Sequence, residues 1–439
     1  MLKSKLQRVG SNVAWLVANR VITKGAGLLV IGFAARVLGE ERYGILSYAL
    51  LLVGMFHAVA NMGLDGIVIR ELVKAPHRSS EILGSSLALR LLGATLATSL
   101  VGSVAALDPA NQGLMPVFLL VGSLFFPQAF EVADLWFQKN IDSKFPVIAR
   151  TVAVVLGASV KCLLLINHAP LVAFAGACLL EGVLNAAAVL IVYRLRGQHP
   201  TAWRFNAPLA RAMLRDSWPL ILSGLLIALY MRLEQVMVRS FLGYKSLGIY
   251  NTASQITEAW GFLPAFLLSS IYPVLVEERQ RSPERFQKRM QLVFDLLTGL
   301  GYAVALGVAT LAPILIPALF GDRYLNAIPV LVIQSLGAPI FFSGAVRAQF
   351  FLFENINIYH TLTASLGIAL NITLAILLIP ILGLPGAAVA GFFGALLAGF
   401  GSSWLFKPLR PCARWQLNSF LLPFRLRSVL REFRGLHEN

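Results

Sequence analysis

Apolar residues recur along this chain in runs of about twenty to thirty, the length an α-helix needs to cross the hydrocarbon of a bilayer. The N-terminal runs lie near residues 12–37, 44–69, 82–106, 115–138, 146–166 and 170–193. The C-terminal runs lie near 216–242, 247–276, 291–318, 327–351, 359–382 and 384–406. Gly39, Pro109, Pro170, Gly243, Gly321 and the Gly383–Gly386 turn fall between them, as residues that interrupt helices do. The pattern predicts an all-α polytopic membrane protein of about twelve transmembrane helices.

Charge adds an orientation. With the N-terminus inside, the inner connections hold Arg70, Lys74 and Arg78, then Lys139 and Lys144, then Arg194 to Arg215, then Arg279 to Arg289, and finally a basic tail. The outer connections hold only Arg42, Lys245 and Arg323. Basic loops stay cytoplasmic, so both termini are expected inside. The longest inner connection, near 194–215, divides the chain into an N-terminal six-helix lobe at 1–198, a C-terminal six-helix lobe at 199–406 and a tail at 407–439. Leu38-Gly39, Gly44-Ile45 and Ala49 recur at the same spacing as Leu242-Gly243, Gly248-Ile249 and Ala253. Each copy is the outer hairpin between the first two spans of its half, which predicts two pseudo-symmetric bundles around a central cavity. In the tail, Leu426, Val429, Leu430 and Phe433 share one helical face and Arg427, Arg431 and Arg434 another, suited to an anionic inner leaflet.

Composition narrows the function. Of 439 residues, 57% are hydrophobic and 13% charged, too apolar for a water-soluble surface. The net charge of +16 does not imply a nucleic-acid partner, which would need a basic face on a soluble domain. Three separated cysteines, no metal-ligand spacing and no phosphate-binding loop point away from an enzyme, a metal site or ATP hydrolysis. No cofactor is expected, and a proton or sodium gradient, or the substrate's own gradient, would supply the energy. Arg20 and Lys24 interrupt the first apolar run, so it reads as a retained span rather than a signal peptide.

Candidate chemistry lies in charges at membrane depth. Arg20, Lys24, Arg90, Lys161, Arg232, Arg239 and Arg347 fall within the spans, and facing lipid they would cost on the order of 20 kcal/mol together. Lys161, Arg239 and Arg347 are near enough to a surface to snorkel. Arg20 and Lys24 share a helix face, and His57, Asn61 and Asp65 form a polar stripe on the second span. The fourth span offers Gln128, Glu131, Asp134 and Gln138. Arg20, Lys24 and Arg90 are expected to meet Asp65 and Glu131, Arg232 to meet Glu258 with Glu234 pointing elsewhere, and Lys161 to meet Glu181. The candidate cavity cations for substrate are thus Arg20, Lys24, Arg90, Arg232 and Arg347. The candidates for ion coupling, or for pairing that merely holds helices together, are Asp65, Glu131, Asp134, Glu234 and Glu258. A positively lined cavity attracts an amphipathic anion, and arginine forks suit phosphate. Small residues in the last spans (Gly386, Ala387, Ala390, Gly394, Gly399) read as close packing.

Ser217-Trp-Pro219, Tyr230-Met-Arg-Leu-Glu-Gln-Val-Met237, Gly248-Ile-Tyr250, Glu258-Ala-Trp260, Pro264 and Pro273 resemble the seventh and eighth spans of the Wzx-type polysaccharide and O-antigen flippases. That family belongs to the multidrug/oligosaccharidyl-lipid/polysaccharide exporter superfamily. Arg36-Val-Leu-Gly39 with Tyr43-Gly44, Asp134-Leu-Trp-Phe-Gln138, and Leu319-Phe-Gly321 with Tyr324 resemble further stretches of the family, although Lys139 stands where glycine is usual. The resemblance implies alternating access in a bacterial inner membrane and a lipid-linked oligosaccharide as cargo, as in lipopolysaccharide and other surface-polysaccharide synthesis. It also implies a polysaccharide polymerase and a chain-length regulator as partners, beside the bilayer lipids. An ion-coupled drug or metabolite exporter of the same superfamily and a non-transporting membrane scaffold are the rival readings. A lipid II flippase would have fourteen spans, and a glycan polymerase a large outer loop that this sequence lacks.

Overall fold

In hydrocarbon every backbone N–H and C=O has to be satisfied within its own segment, and coiling into helices does this. The computed structural model describes residues 2–140, 142, 144–356 and 358–425, with side chains from Gly25 onward within them, apart from Ala26, Ser270, Pro273, Val274, Gln280, Arg281 and Pro283. Among the described residues there are helices and no strand. Ten helical stretches are long and apolar enough to cross a membrane. Two of these, Gly27–Lys74 and Ala207–Ser269, run to 48 and 63 residues. At about 1.5 Å per residue, each is more than twice the roughly 30 Å hydrocarbon thickness and so holds two spans. The count returns to about twelve.

Both double-length stretches turn at a glycine. Gly39 has φ 76° and ψ 171°, Gly243 φ 80° and ψ −175°, a backbone region essentially closed to other residues. The positions that follow are buried alike, Ile45 and Ala49 at 7% and 0% exposure, Ile249 and Ala253 at 4% and 0%. The repeated sequence therefore makes the same turn twice.

Contacts group the chain into two compact units, Ala34–Val236, and Met1–Phe33 with Met237–Asn439. The expected division after residue 198 follows the chain's longest inner connection, whereas this grouping follows packing. In the first unit, the Arg204 N–H donates to the Ser80 carbonyl at 3.0 Å and the Asn206 N–H to Ser85 Oγ at 3.0 Å. Arg70 reaches Asp216 at 2.6 Å. These bonds hold the connection and the start of the seventh span to the spans before them. The unit's core gathers Leu64, Val68, Leu72, Leu83, Val132 and Phe137.

The second unit is centred on Leu268, Met290, Phe294, Phe342, Val346 and Phe351. Its small residues do pack closely: a Cβ on Gly394 would lie 2.7 Å from that of Asn371 on the neighbouring span. The expected surface tail begins differently. Helix Arg410–Phe420 buries Cys412, Ala413, Gln416 and Ser419, with Thr298 donating to Ser419 Oγ at 3.1 Å and Tyr302 to the Phe420 carbonyl at 3.0 Å. Interior hydrogen bonding thus makes this stretch part of the second unit's core. The amphipathic face Leu426–Arg434 lies outside the described residues.

Candidate functional site

Two spans of the first unit are broken within their length. The second span leaves its helix at Ala60, passes Met62 and Gly63 with φ 56° and 61°, and resumes at Asp65. The fourth, expected as one helix over 115–138, is three: Met115–Gly122, Phe125–Ala129 and Val132–Lys139. Pro127 has no N–H to give, and the Ser123 hydroxyl turns back to the Leu119 carbonyl at 2.7 Å, both of which disturb a helix. Irregular backbone is tolerated there only where it is buried in protein or lines a polar cavity. A cavity of about 40 Å³ lies between the breaks, lined by His57, Asn61, Asp65, Arg90, Gln128 and Glu131 with Ala60, Phe125 and Ala129.

Asp65 is the first residue of helix Asp65–Lys74, where the helix dipole favours a carboxylate. It accepts from Asn61 Nδ2 at 2.7 Å and forms an ion pair with the Arg90 guanidinium. The pair is lopsided: the Arg90 side chain is 5% exposed and that of Asp65 56%. Arg90 reaches Asp65 because helix Ser79–Ala106 comes close, and Gly93, one turn on, makes this approach steric fact. A Cβ there would lie 2.5 Å and 2.6 Å from the carbonyl oxygens of Ala60 and Val59.

Glu131 sits at the second break, 3.7 Å from Arg150 and accepting from Asn185 Nδ2 at 3.1 Å. Arg150 lies 3.3 Å from Asp134, which accepts from Gln138 at 2.9 Å. Three carboxylates (Asp65, Glu131, Asp134) against two guanidiniums (Arg90, Arg150) leave one net negative charge beside His57. Asn61 Oδ1 and Gln128 Oε1, both of cavity-lining residues, are buried with no hydrogen-bond partner among the described residues. The site can therefore accept a proton or a small cation.

Of the expected groupings, Arg90 does meet Asp65, and Lys161 meets Glu181 at 2.5 Å. The side chains of Arg20 and Lys24 lie outside the described residues. Arg150, absent from the sequence-based candidates, is the cation that reaches Glu131 and Asp134. It stands near the N-terminal end of helix Lys144–Ile166 and reads from sequence as an ordinary flanking charge. Arg232 and Glu234 belong to the first unit and Glu258 to the second; Arg232 donates to Gln235 Oε1 at 3.5 Å. Arg239 caps its own hairpin through the Tyr244 hydroxyl at 3.1 Å.

Arg347 is more enclosed than a snorkelling side chain and lines neither of the two cavities described: it is 6% exposed, donating to the Ala398 carbonyl at 2.6 Å, to Ser403 Oγ at 3.0 Å and to Thr363 Oγ1 at 3.4 Å, above the Phe351 ring. The physical reason is local. Residues Leu397–Gly401 form a π turn, whose wider spacing interrupts the regular ladder, and the guanidinium binds a carbonyl of that turn.

Residues 9–279 match the protein family described as "Polysaccharide biosynthesis protein". The succinoglycan biosynthesis transport protein ExoT of Rhizobium meliloti (strain 1021) is 23% identical over 343 residues, which are 76% of this chain and 66% of that protein, just under two thirds of its length. Among solved structures, the fold is similar to an inward-facing multidrug resistance MATE family transporter of the MOP superfamily, with TM-score 0.71, 15% identity, and coverage of 92% of this chain and 94% of that one. It is similar also to the lipid II flippase MurJ in an inward closed conformation, with TM-score 0.64, 12% identity, and coverage of 93% and 92%. The family match spans more than half the chain, and the all-helical multi-pass fold agrees with it: this is a membrane protein of the polysaccharide biosynthesis family.

Proposed function

We propose that the protein moves a polyprenyl-diphosphate-linked oligosaccharide from the inner to the outer leaflet of a bacterial inner membrane. Two six-span lobes, 1–198 and 199–406, alternate access with both termini cytoplasmic. The observation that carries this reading is the family match over 9–279, in a chain whose spans carry arginines and lysines such as Arg232. A diphosphate is costly to bring into hydrocarbon, and an arginine fork binds two of its oxygens at once. Arg232 holds the diphosphate.

Asp65 couples the cycle to a proton or sodium gradient. Its carboxylate touches buried Arg90 on one side and is open on the other, so an arriving cation competes with Arg90 for it. Glu131, on the same cavity, then becomes the nearer acid for Arg90, giving two charge arrangements of one site. Polysaccharide polymerase and chain-length regulator receive the delivered cargo. A second reading, an ion-coupled drug or metabolite exporter, is favoured by the net negative charge of the Asp65–Asp134 cluster. Gene deletion separates them: lipid-linked oligosaccharide persisting on the outer leaflet at normal levels would sink the flippase reading. Arg232→Gln, with insertion checked separately, is expected to abolish transport; unchanged transport returns Arg232 to packing.

A further inference from the structure

The second unit contains a cavity of about 970 Å³, at the upper end of the range of small-molecule sites, and no residue of the polar cavity above lines it. Its walls are the ends of three membrane helices with the docked tail laid over them. Arg279 comes from Leu263–Arg281, Gln287 and Gln291 from Pro283–Phe320, Glu354 from Ala338–Glu354, and Arg414 and Trp415 from Arg410–Phe420. This end of the unit also carries Arg285, Lys288, Arg289, Lys407 and Arg410.

The walls are fixed by interactions of their own. Arg279 pairs with Glu354 at 3.0 Å and donates to the Phe353 carbonyl. Trp415 meets the Phe350 ring edge-on at 5.5 Å, and its carbonyl accepts from Gln291 at 3.2 Å. Arg279 is balanced by Glu354 and Arg289 by Glu278, but Arg414 is exposed and forms no ion pair among the described residues. From Arg414 at the cavity, Leu417, Leu421 and Phe424 follow at intervals of three or four residues, exposed by 39%, 43% and 87%. The chain thus passes from a cation at the cavity to apolar surface.

We propose that this cavity takes the phosphodiester head group of an anionic phospholipid, with its acyl chains along Leu417, Leu421 and Phe424. A phospholipid is the ligand that carries both chemistries at this spacing: Arg414 answers the charge, the amides of Gln287 and Gln291 the ester and glycerol oxygens, and the leucines the chains. The site shares no lining residue with the Asp65 cavity and fastens the tail helix to the bilayer.

The test uses the full-length protein in nanodiscs of mixed phosphatidylcholine and phosphatidylglycerol, then solubilised, with the co-purifying lipid counted by mass spectrometry. Phosphatidylglycerol is expected to be retained in preference to phosphatidylcholine, and its retention to fall about fivefold in Arg414→Gln. Arg410→Gln makes the same charge change on the same helix but does not line the cavity, and should retain the lipid. Equal retention of the two phospholipids by the unmodified protein, or equal loss in both variants, overturns the proposal in favour of a merely basic surface. Displacement by inorganic phosphate alone refutes the role of the acyl chains. Displacement by polyprenyl diphosphate at equal concentration assigns the cavity to cargo and overturns the phospholipid reading.

Discussion

The Asp65–Arg90 pair makes an asymmetric prediction about stability. Removing one partner of a buried ion pair costs about 3–5 kcal/mol, because the other is left uncompensated in low dielectric. Here the partners are not equally buried. Asp65→Ala strands a guanidinium that is 5% exposed. Glu131 lines the same cavity and compensates in part, so the low end, about 3 kcal/mol, is expected. Arg90→Met leaves a carboxylate that is 56% exposed and regains water, so the loss is about 1 kcal/mol, as for exposed pairs. The difference, about 2 kcal/mol, is roughly thirtyfold in the unfolding equilibrium. Reversible unfolding in mixed micelles, followed by helical circular dichroism, measures it. The double variant is expected to be more stable than Asp65→Ala alone, since it removes the stranded charge. Arg90→Met destabilising as much as Asp65→Ala, or a double variant worse than Asp65→Ala, would refute the reasoning.

Gly93→Ala places a Cβ against two backbone carbonyls, and overpacking of this kind costs about 1–3 kcal/mol; a lowered midpoint in the same assay checks it. Burial pushes the Cys412 thiol up to about 12, so thiolate is scarce at neutral pH. Maleimide should leave Cys412 unmodified in the folded protein and label it on denaturation. Gln416→Leu strands the Gly399 carbonyl, which accepts from Gln416 at 2.8 Å, at a cost of about 1–3 kcal/mol. The tail helix should loosen, and trypsin should cut after Arg414, which precedes Trp415, faster than in the parent.

The helices and their number were legible because bilayer thickness sets a length that apolar runs either meet or do not. The Gly39 and Gly243 turns were legible as a repeat because only glycine adopts that backbone. Asp65 with Arg90 could be paired by depth, as could Lys161 with Glu181. The breaks within the fourth span could not. Pro127 announces a disturbance, but where the backbone restarts decides which acids face Arg150, and that depends on packing against neighbouring spans. Arg347 misled for a related reason. Its partners Ser402 and Ser403 look like the polar end of a span, while Cys412 and Gln416, buried beside it, look like the start of a solvated tail.

Depth alone therefore does not sort the intramembrane cations; the chemistry of their partners does. Arg347 is held by hydroxyls and a carbonyl, none of which titrates in the working range, so a proton cannot exchange it for another state. Arg90 is held by a carboxylate that is open on its far side. Protonating that group weakens the pair and leaves Glu131 and Asp134, bridged by Arg150, as the remaining acids of the cluster. Both sites lie where the backbone leaves regular helix, at the breaks around Met62 and Pro127 and at the π turn of Leu397–Gly401. Irregular backbone provides polar groups in each case, but the Arg90 site pairs its cation with a carboxylate that is 56% exposed, and the Arg347 site with hydroxyls and a carbonyl. By the same criterion Lys161–Glu181, with side chains 22% and 27% exposed, stands between them: its acid is a carboxylate like Asp65, yet both partners are shielded.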